Sequence, residues 1–451
     1  MSEDVGYKQV LTRKDLFGIA VGMIIGAGVM TLTGIGIDRT GRSVFISYLI
    51  ATFFALFFAV PSILSSSIAR FKGGNYTVWS MFVGEKWAGA WIIIYFLGEM
   101  GICMYALSFA EYFQALFPSS NPRIVAMAIA TLFFVVNFFG INIMAKVENF
   151  LTVALVGAIL LFIVCGMPHV DFANYFKNPG FTTHGVVGIF AGGAFLNYAV
   201  LGASELISFS GECKNPKKDI PTTIIISTAF VAMMFSLLSI VASGVLPIEE
   251  VAGQPLTLVA KEIFNKPLFL FFIVAGALGA TATTLNVTVA YITKPLVQAS
   301  RDGWFPRSMG ELHPKYRTPH KWLFVWYLLT IVPLALDLSV NQIADLVMFI
   351  TYLRSIVYAI GYLRMPKMLP DLWAKSMFHM PDWAYRLLMY SCAGVAAFQL
   401  ISNAMAADIK MIIINIVVLA GAIIFSLVRY HSGKVKMEIS YEEAGTEGNY
   451  I

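Results

Sequence analysis

Gly18-Ile-Ala-Val-Gly22-Met-Ile-Ile-Gly26-Ala-Gly28-Val-Met30 and Gly188-Ile-Phe-Ala-Gly192-Gly193-Ala-Phe-Leu-Asn-Tyr198-Ala-Val-Leu-Gly202-Ala-Ser204 are two apolar segments interrupted by glycine. Each lies within a longer apolar run, near 16–37 and 185–209, of the length that crosses a membrane. A helix facing lipid has no reason to collect helix breakers at mid-depth, where each freed backbone N–H or C=O costs several kcal/mol. Broken helices persist where the irregular backbone lines a binding site. A matched pair in the two halves of a chain points to a carrier built from repeats.

Composition supports a membrane setting. The chain has 451 residues, 58% of them hydrophobic and 13% charged, and a mean hydropathy of +0.75. A soluble domain carries about 25% charged residues. The net charge of +5 therefore gives no reason to expect a nucleic-acid partner. The partner is the lipid bilayer. Met1–Asp15 is polar and is not followed by a short apolar core with a small-residue cleavage site, so the first apolar segment is expected to be retained. The cysteines and histidines show no metal-ligand or disulfide spacing.

Twelve apolar segments are near the length of about 20 residues that spans the hydrocarbon core. They fall near 16–37, 43–68, 87–116, 123–142, 148–167, 185–209, 222–246, 268–293, 321–336, 340–363, 384–404 and 410–430. With the N-terminus inside, 23 lysines and arginines lie on inner segments, 7 on outer ones and Arg354 within a span, together the 31 of the chain. That positive-inside bias places both termini in the cytoplasm. The expected fold class is an all-α polytopic membrane protein with twelve transmembrane helices. A cytoplasmic N-terminus (1–15) precedes repeat one (16–167, helices 1–5). An inverted repeat two (185–363, helices 6–10), helices 11–12 (384–430) and a disordered cytoplasmic tail (431–451) follow. An odd number of spans per repeat sets the halves in opposite orientation.

The first break, Ile25-Gly26-Ala27-Gly28-Val29, is expected to expose the N–H groups of Ala27, Gly28 and Val29 at the start of a half-helix, where an anion such as a carboxylate is stabilised. Glycine would serve unusual backbone angles and close ligand approach. Gly18, Gly22 and Gly26 also form a small-residue ridge suited to helix packing. The second break is expected near Ala199–Ala203, where freed carbonyls suit an ammonium group. Tyr198, just before it, is placed as an aromatic lid or as a buried tyrosine with a satisfied hydroxyl.

Three stretches resemble the amino acid–polyamine–organocation family, specifically its amino-acid permease branch. Ile25–Val29 is similar to the I-G-S-G-I signature, with Ala27 in place of serine. Gly211-Glu-Cys-Lys214-Asn215-Pro216-Lys217-Lys218-Asp219-Ile220-Pro221 resembles the family loop after span 6. Ala299-Ser300-Arg301-Asp302-Gly303-Trp304-Phe305-Pro306 with His313-Pro314-Lys315-Tyr316-Arg317-Thr318-Pro319 resembles the loop after span 8. The resemblance implies a five-plus-five inverted-repeat fold with a central site. By it, the substrate carboxylate meets Gly26, Ala27, Gly28 and Val29. The ammonium meets carbonyls of Ile24, Tyr198, Ala199 and Leu201, beside Gly202. Ser204 falls where some members sense the substrate side chain. Leu155 stands where some members carry a span-5 lysine, which removes a lysine-based coupling device.

Glu99, Glu205 and Arg354 lie inside expected spans. Each charge near the bilayer centre costs roughly 2.5–3.5 kcal/mol, so the three unpaired would cost on the order of 8–10 kcal/mol. They are expected to face the bundle interior, as an Arg354–carboxylate ion pair, as protonated carboxyls, or as groups that recognise a substrate side chain or couple to a proton. The resulting reading is a secondary transporter of amino acids acting by alternating access, as exchanger or proton-coupled symporter. The alternative is a carrier of polyamines or other organic cations. That carrier would lean on Glu99 and Glu205 and leave the glycine nest unused. No HExxH, GxSxG or membrane-depth His/Asp or Cys/His set supports an enzyme, and no selectivity-filter-like segment supports a channel. The only other small partner implied is H+. No cofactor is called for, and the oligomeric state is not encoded legibly.

Overall fold

The computed structural model describes residues 6–26, 28–178, 180–336, 341–406, 409–437 and 441–442. The first expected span is two helices, α1 (Arg13–Ile24) and α2 (Gly28–Thr40). There follow α3 (Val44–Ile68), α4 (Asn75–Phe82), α5 (Ala88–Gly98), α6 (Ile102–Leu116), α7 (Pro122–Phe138) and α8 (Ile141–Gly166). After an outer connection come α9 (Gly185–Val200), α10 (Pro216–Gly244), α11 (Gly279–Tyr291), α12 (Thr293–Arg301), α13 (His320–Leu336), α14 (Asn341–Tyr362), α15 (Asp382–Ala406) and α16 (Ile409–His431).

Local sequence explains the starts. Asn121 caps α7 through its side chain, with Pro122 in the first turn. Pro216 opens α10 after Asn215, with Asp219 in its first turn. Proline there gives up only an N–H that has no helical partner, and the acidic residue complements the helix dipole. Among the described residues, eight helical segments are long and apolar enough to cross a membrane, and Pro122–Phe138 and His320–Ala335 are shorter apolar helices. The chain is thus an all-α polytopic membrane protein. Two of the twelve expected spans do not register by length and hydropathy. The first is divided into helices of 12 and 13 residues, and α14 carries Asp345 and Arg354.

α1 sits at the centre, packed against α8, α10 and α11. α3 lies along α9 and α10, α6 along α7, and α5 along α16. One apolar core gathers around α1, α3, α8 and α10, and a second around α5 to α7 and α11 to α13. The glycine ridge of α1 is a packing surface. A Cβ on Gly18 would meet Asn149, on Gly22 Glu148, and on Gly26 Thr284.

Three sequence expectations are corrected. The third span is interrupted, with a 3-10 turn at Glu99–Gly101 between α5 and α6. The loop expected from 294 onward is helical to Arg301, because Thr293–Arg301 extends the eighth span and Lys294 finds a buried partner. The tail is not wholly disordered. The Lys436 N–H bonds the Asp302 carbonyl, and β2 (Tyr441–Glu442) pairs antiparallel with β1 (Arg70–Phe71).

The second break ends α9 at Val200 and resumes as 3-10 helix at Ala203. Gly202 there has φ +132°, and a Cβ on it would lie 3.0 Å from the Met23 carbonyl oxygen of α1. Any side chain would strain the backbone and push against α1. Gly202→Ala is expected to cost about 1–3 kcal/mol and to lower the melting temperature of the purified protein. Gly394→Ala, inside α15 with open space around it, is expected not to lower the melting temperature.

Candidate functional site

The two breaks meet. They open onto a single cavity of about 490 Å³, within the range of small-molecule sites. Its wall includes Ile24, Gly26 and Gly28 from the first break, Tyr198, Ala199, Leu201, Gly202 and Ser204 from the second, and all three intramembrane charges, Glu99, Glu205 and Arg354.

Each break has its own geometry. α1 ends at Ile25, whose φ −80° and ψ 72° make an inverse γ-turn. The Gly26 N–H donates to the Ile24 carbonyl at 2.9 Å, and the Val29 N–H reaches the Gly26 carbonyl at 3.4 Å. The first break therefore uses one of the three expected free N–H groups internally and already engages the Ile24 oxygen. Val29 itself is buried in the core, 1% exposed. Gly26 does not adopt a positive φ. At both positions the missing side chain leaves room, close to Thr284 at Gly26 and to Leu32 at Gly28. Ala27 lies outside the described residues. At the second break the last four carbonyls of α9, from Asn197 to Val200, have no helical partner. Gly202 is the residue whose φ demands glycine.

The charged side chains share the cavity without pairing. Among the described residues, Arg354 forms no ion pair with Glu99 or Glu205, so the structural pair considered from sequence is not formed. Its guanidinium lies 5.7 Å from the Trp91 ring centroid, a cation–π contact. Glu99 accepts from the Tyr291 hydroxyl at 3.1 Å. Glu205 accepts from the Asn75 amide at 3.0 Å, and the Asn75 oxygen accepts from the Tyr358 hydroxyl at 3.0 Å. Each carboxylate thus has a neutral donor on one oxygen and an open aspect toward the cavity.

Sequence reasoning missed Asn75, Tyr105, Tyr291 and Tyr358, which also line the cavity. Asn75 begins a short helix after α3 that reads as a loop by hydropathy. The tyrosines had only their polar tips at membrane depth as a signal.

Below the cavity, on the side where both termini lie, the bundle is latched. Lys294 of α12 forms a salt bridge with Glu212, with side-chain exposures of 4% and 6%. Phe209 and Tyr7 flank the Lys294 ammonium at 4.9 and 5.1 Å. The N-terminal strand segment joins in: the Val10 and Leu11 N–H groups bond the Glu212 carbonyl, and the Lys214 N–H bonds the Leu11 carbonyl. The loop after α12 is held similarly. Asp302 accepts from the Tyr76 hydroxyl at 2.7 Å and the Gln298 amide at 3.0 Å, and the His313 ring accepts from the Lys315 and Tyr316 N–H groups. The two loop motifs are therefore structural fastenings of this face.

A family profile described as "Amino acid permease" matches residues 11–428. This chain belongs to the amino acid permease family of amino acid–polyamine–organocation transporters. It is similar to the branched-chain amino acid permease BcaP of Bacillus subtilis (strain 168), 27% identical over 82% of this chain and 84% of that protein. It is also similar to the methylthioribose transporter of the same organism, 24% identical over 71% of this chain and 74% of that protein. The vacuolar cationic amino acid transporter 2 of Arabidopsis thaliana is 27% identical over 80% of this chain and 60% of that protein. The permease is a multi-pass membrane protein of a transporter family, and amino acid transport is its coarse function.

The latch has a testable energy. Removing one partner of a buried ion pair leaves an uncompensated charge at a cost of about 3–5 kcal/mol, whereas replacing both with apolar groups is often neutral. Lys294→Met is expected to lower stability to denaturant by that amount, and Lys294→Met with Glu212→Leu to recover most of it.

Proposed function

We propose that this permease is a secondary active transporter that moves α-amino acids across the cell membrane by alternating access, as an exchanger or a proton-coupled symporter. The observation that carries the reading is the meeting of two helix breaks at one cavity. The N-terminus of α2 offers backbone N–H groups and the positive end of a dipole to a carboxylate. The freed carbonyls of α9, with that of Ile24, offer acceptors to an ammonium. The Gly26–Val29 and Tyr198–Gly202 backbones are assigned these roles, Tyr198 that of a lid, and Ser204 that of reading the substrate side chain. The cavity lining supports the assignment, since Tyr198 and Ser204 are both part of it.

The architecture proposed is twelve spans arranged as an inverted pair, 16–167 and 185–363, with 384–430 outside it. The charge bias supports cytoplasmic termini, and the packing of Gly6 against Arg317 and of Lys436 against Asp302 supports termini on a common face. The unpaired Glu99 and Glu205 favour one second reading, a carrier of polyamines or other organic cations. Arg354 at the same wall weighs against it.

In proteoliposomes the purified protein is expected to take up radiolabelled L-leucine or L-arginine. An excess of isoamylamine or agmatine, which lack the carboxylate, is expected to compete poorly; equal competition by the amine would move the assignment to the organic-cation carrier. Gly28→Val is expected to abolish uptake while the protein still inserts. The first added carbon meets the flexible end of Leu32, at 3.0 Å, and the Ala199 Cβ at an ordinary 3.9 Å, and the rest fills the carboxylate approach. Normal uptake by that variant would return Gly28 to packing alone.

A further inference from the structure

A third intramembrane carboxylate lies outside the cavity. The expected fifth span begins at 148, at the membrane edge. The helix instead starts at Ile141, which places Glu148 seven residues, about 10 Å, along α8. Its exposure is 0%. It fills the notch that Gly22 leaves in α1: a Cβ on Gly22 would collide with the Glu148 Oε1. Among the described residues no cation pairs with it.

The hydrogen-bond count around Glu148 is informative. Asn286 of α11 donates its amide to Oε2 at 2.8 Å. The orientation of Asn286 is fixed because its own oxygen accepts from Asn137 at 3.1 Å. Thr152 Oγ1 lies 3.2 Å from Glu148 Oε1 and 3.1 Å from the Gly18 carbonyl of α1. A threonine hydroxyl has one hydrogen, so it cannot donate to both. A proton on Glu148 satisfies every group at once. The carboxyl then donates to Thr152, and Thr152 donates to Gly18. If Glu148 is ionised, Thr152 must turn its hydrogen to the carboxylate, the Gly18 carbonyl loses its side-chain donor, and an anion lies buried against Gly22.

Charged groups on the surrounding elements sit at helix ends. α1 brings Asp15, bonded to Thr12 and Asn149, with Arg13 and Lys14; α8 itself brings Lys146. α10 brings Lys217, Lys218 and Asp219 at its start, and α7 brings Arg123. The outer end of α8 faces His169, Lys261 and Glu262. α11 brings no charge, and its Tyr291 donates to Glu99. It also brings Thr283 and Thr284, which lie against the Gly22 carbonyl at 3.3 and 3.5 Å. Thr284 in addition lines the cavity.

We propose that Glu148 is the proton-binding site of this permease, and that its proton fastens α1 to α8. The proposal rests on the transport reading above and selects its proton-coupled form. A proton taken from the aqueous phase adds to a Glu148 oxygen and closes the Glu148–Thr152–Gly18 chain. The same proton returns to water on the termini side when α1 moves off, and no other bond is made or broken. Release turns Thr152 away from α1, so the half-helix below the substrate loosens with the carboxylate.

The test combines infrared difference spectra with transport by the full-length protein. The wild type is expected to show a protonated-carboxyl carbonyl band that disappears at alkaline pH. Glu148→Gln should remove that band. Thr152→Val, which keeps the carboxyl but deletes its acceptor, should shift it. A one-unit inward pH gradient supplies about tenfold accumulation for a one-proton symport. Wild-type proteoliposomes should approach that with L-leucine or L-arginine, and Glu148→Gln should show no gradient-driven accumulation. A wild-type band unaffected by either substitution, or tenfold accumulation by Glu148→Gln, overturns the proposal. Wild-type vesicles that fail counterflow exchange of both probes, with the band present, overturn the transport reading instead: the protonated site stands and its coupling role falls.

Discussion

A helix that stops inside a membrane leaves carbonyl and amide groups that hydrocarbon cannot satisfy, and the centre of this protein is arranged around two such stops. α1 closes its end with an inverse γ-turn at Ile25, which engages some of the freed groups locally. α9 ends in an extended residue and Gly202, whose positive φ brings its backbone against the Met23 carbonyl. The two ends support each other, and what they leave unsatisfied faces a shared cavity. That cavity also receives Glu99, Glu205 and Arg354, which would be costly anywhere else at this depth.

The helix carrying the first stop is held by polar contacts as well as packing. Its ridge of Gly18, Gly22 and Gly26 admits Asn149, Glu148 and Thr284 from α8 and α11. A small-residue ridge lets backbones approach, and here it admits polar side chains to the helix backbone. Lower down, the Glu212–Lys294 pair and the N-terminal segment join the chain after α9 to α12. A structure closed by individual polar fastenings can open by losing them without dismantling its apolar cores.

Much of this was legible in the sequence. Glycines at mid-span located both breaks, and the loops after spans 6 and 8 carried the family likeness. What escaped had physical causes. Glu148 lies where hydropathy falls at the edge of a span, so its burial depended on where α8 begins. The turn at Glu99–Gly101 interrupts a run with no proline and ordinary apolar content. Lys294 looked like the first residue of a loop because a buried lysine needs a partner 82 positions away. The Arg354–carboxylate pair was a reasonable electrostatic economy, but hydrogen bonds from Tyr291 and Asn75 hold the carboxylates separately.

The central claim is that the two breaks together form the substrate site. The most direct measurement is a structure of the protein with a transported amino acid bound. The account predicts its carboxylate within about 3 Å of the N–H groups at the start of α2 and its ammonium against the carbonyls that end α9. Density for the ligand away from both breaks, or with its two charged groups exchanged, would contradict it.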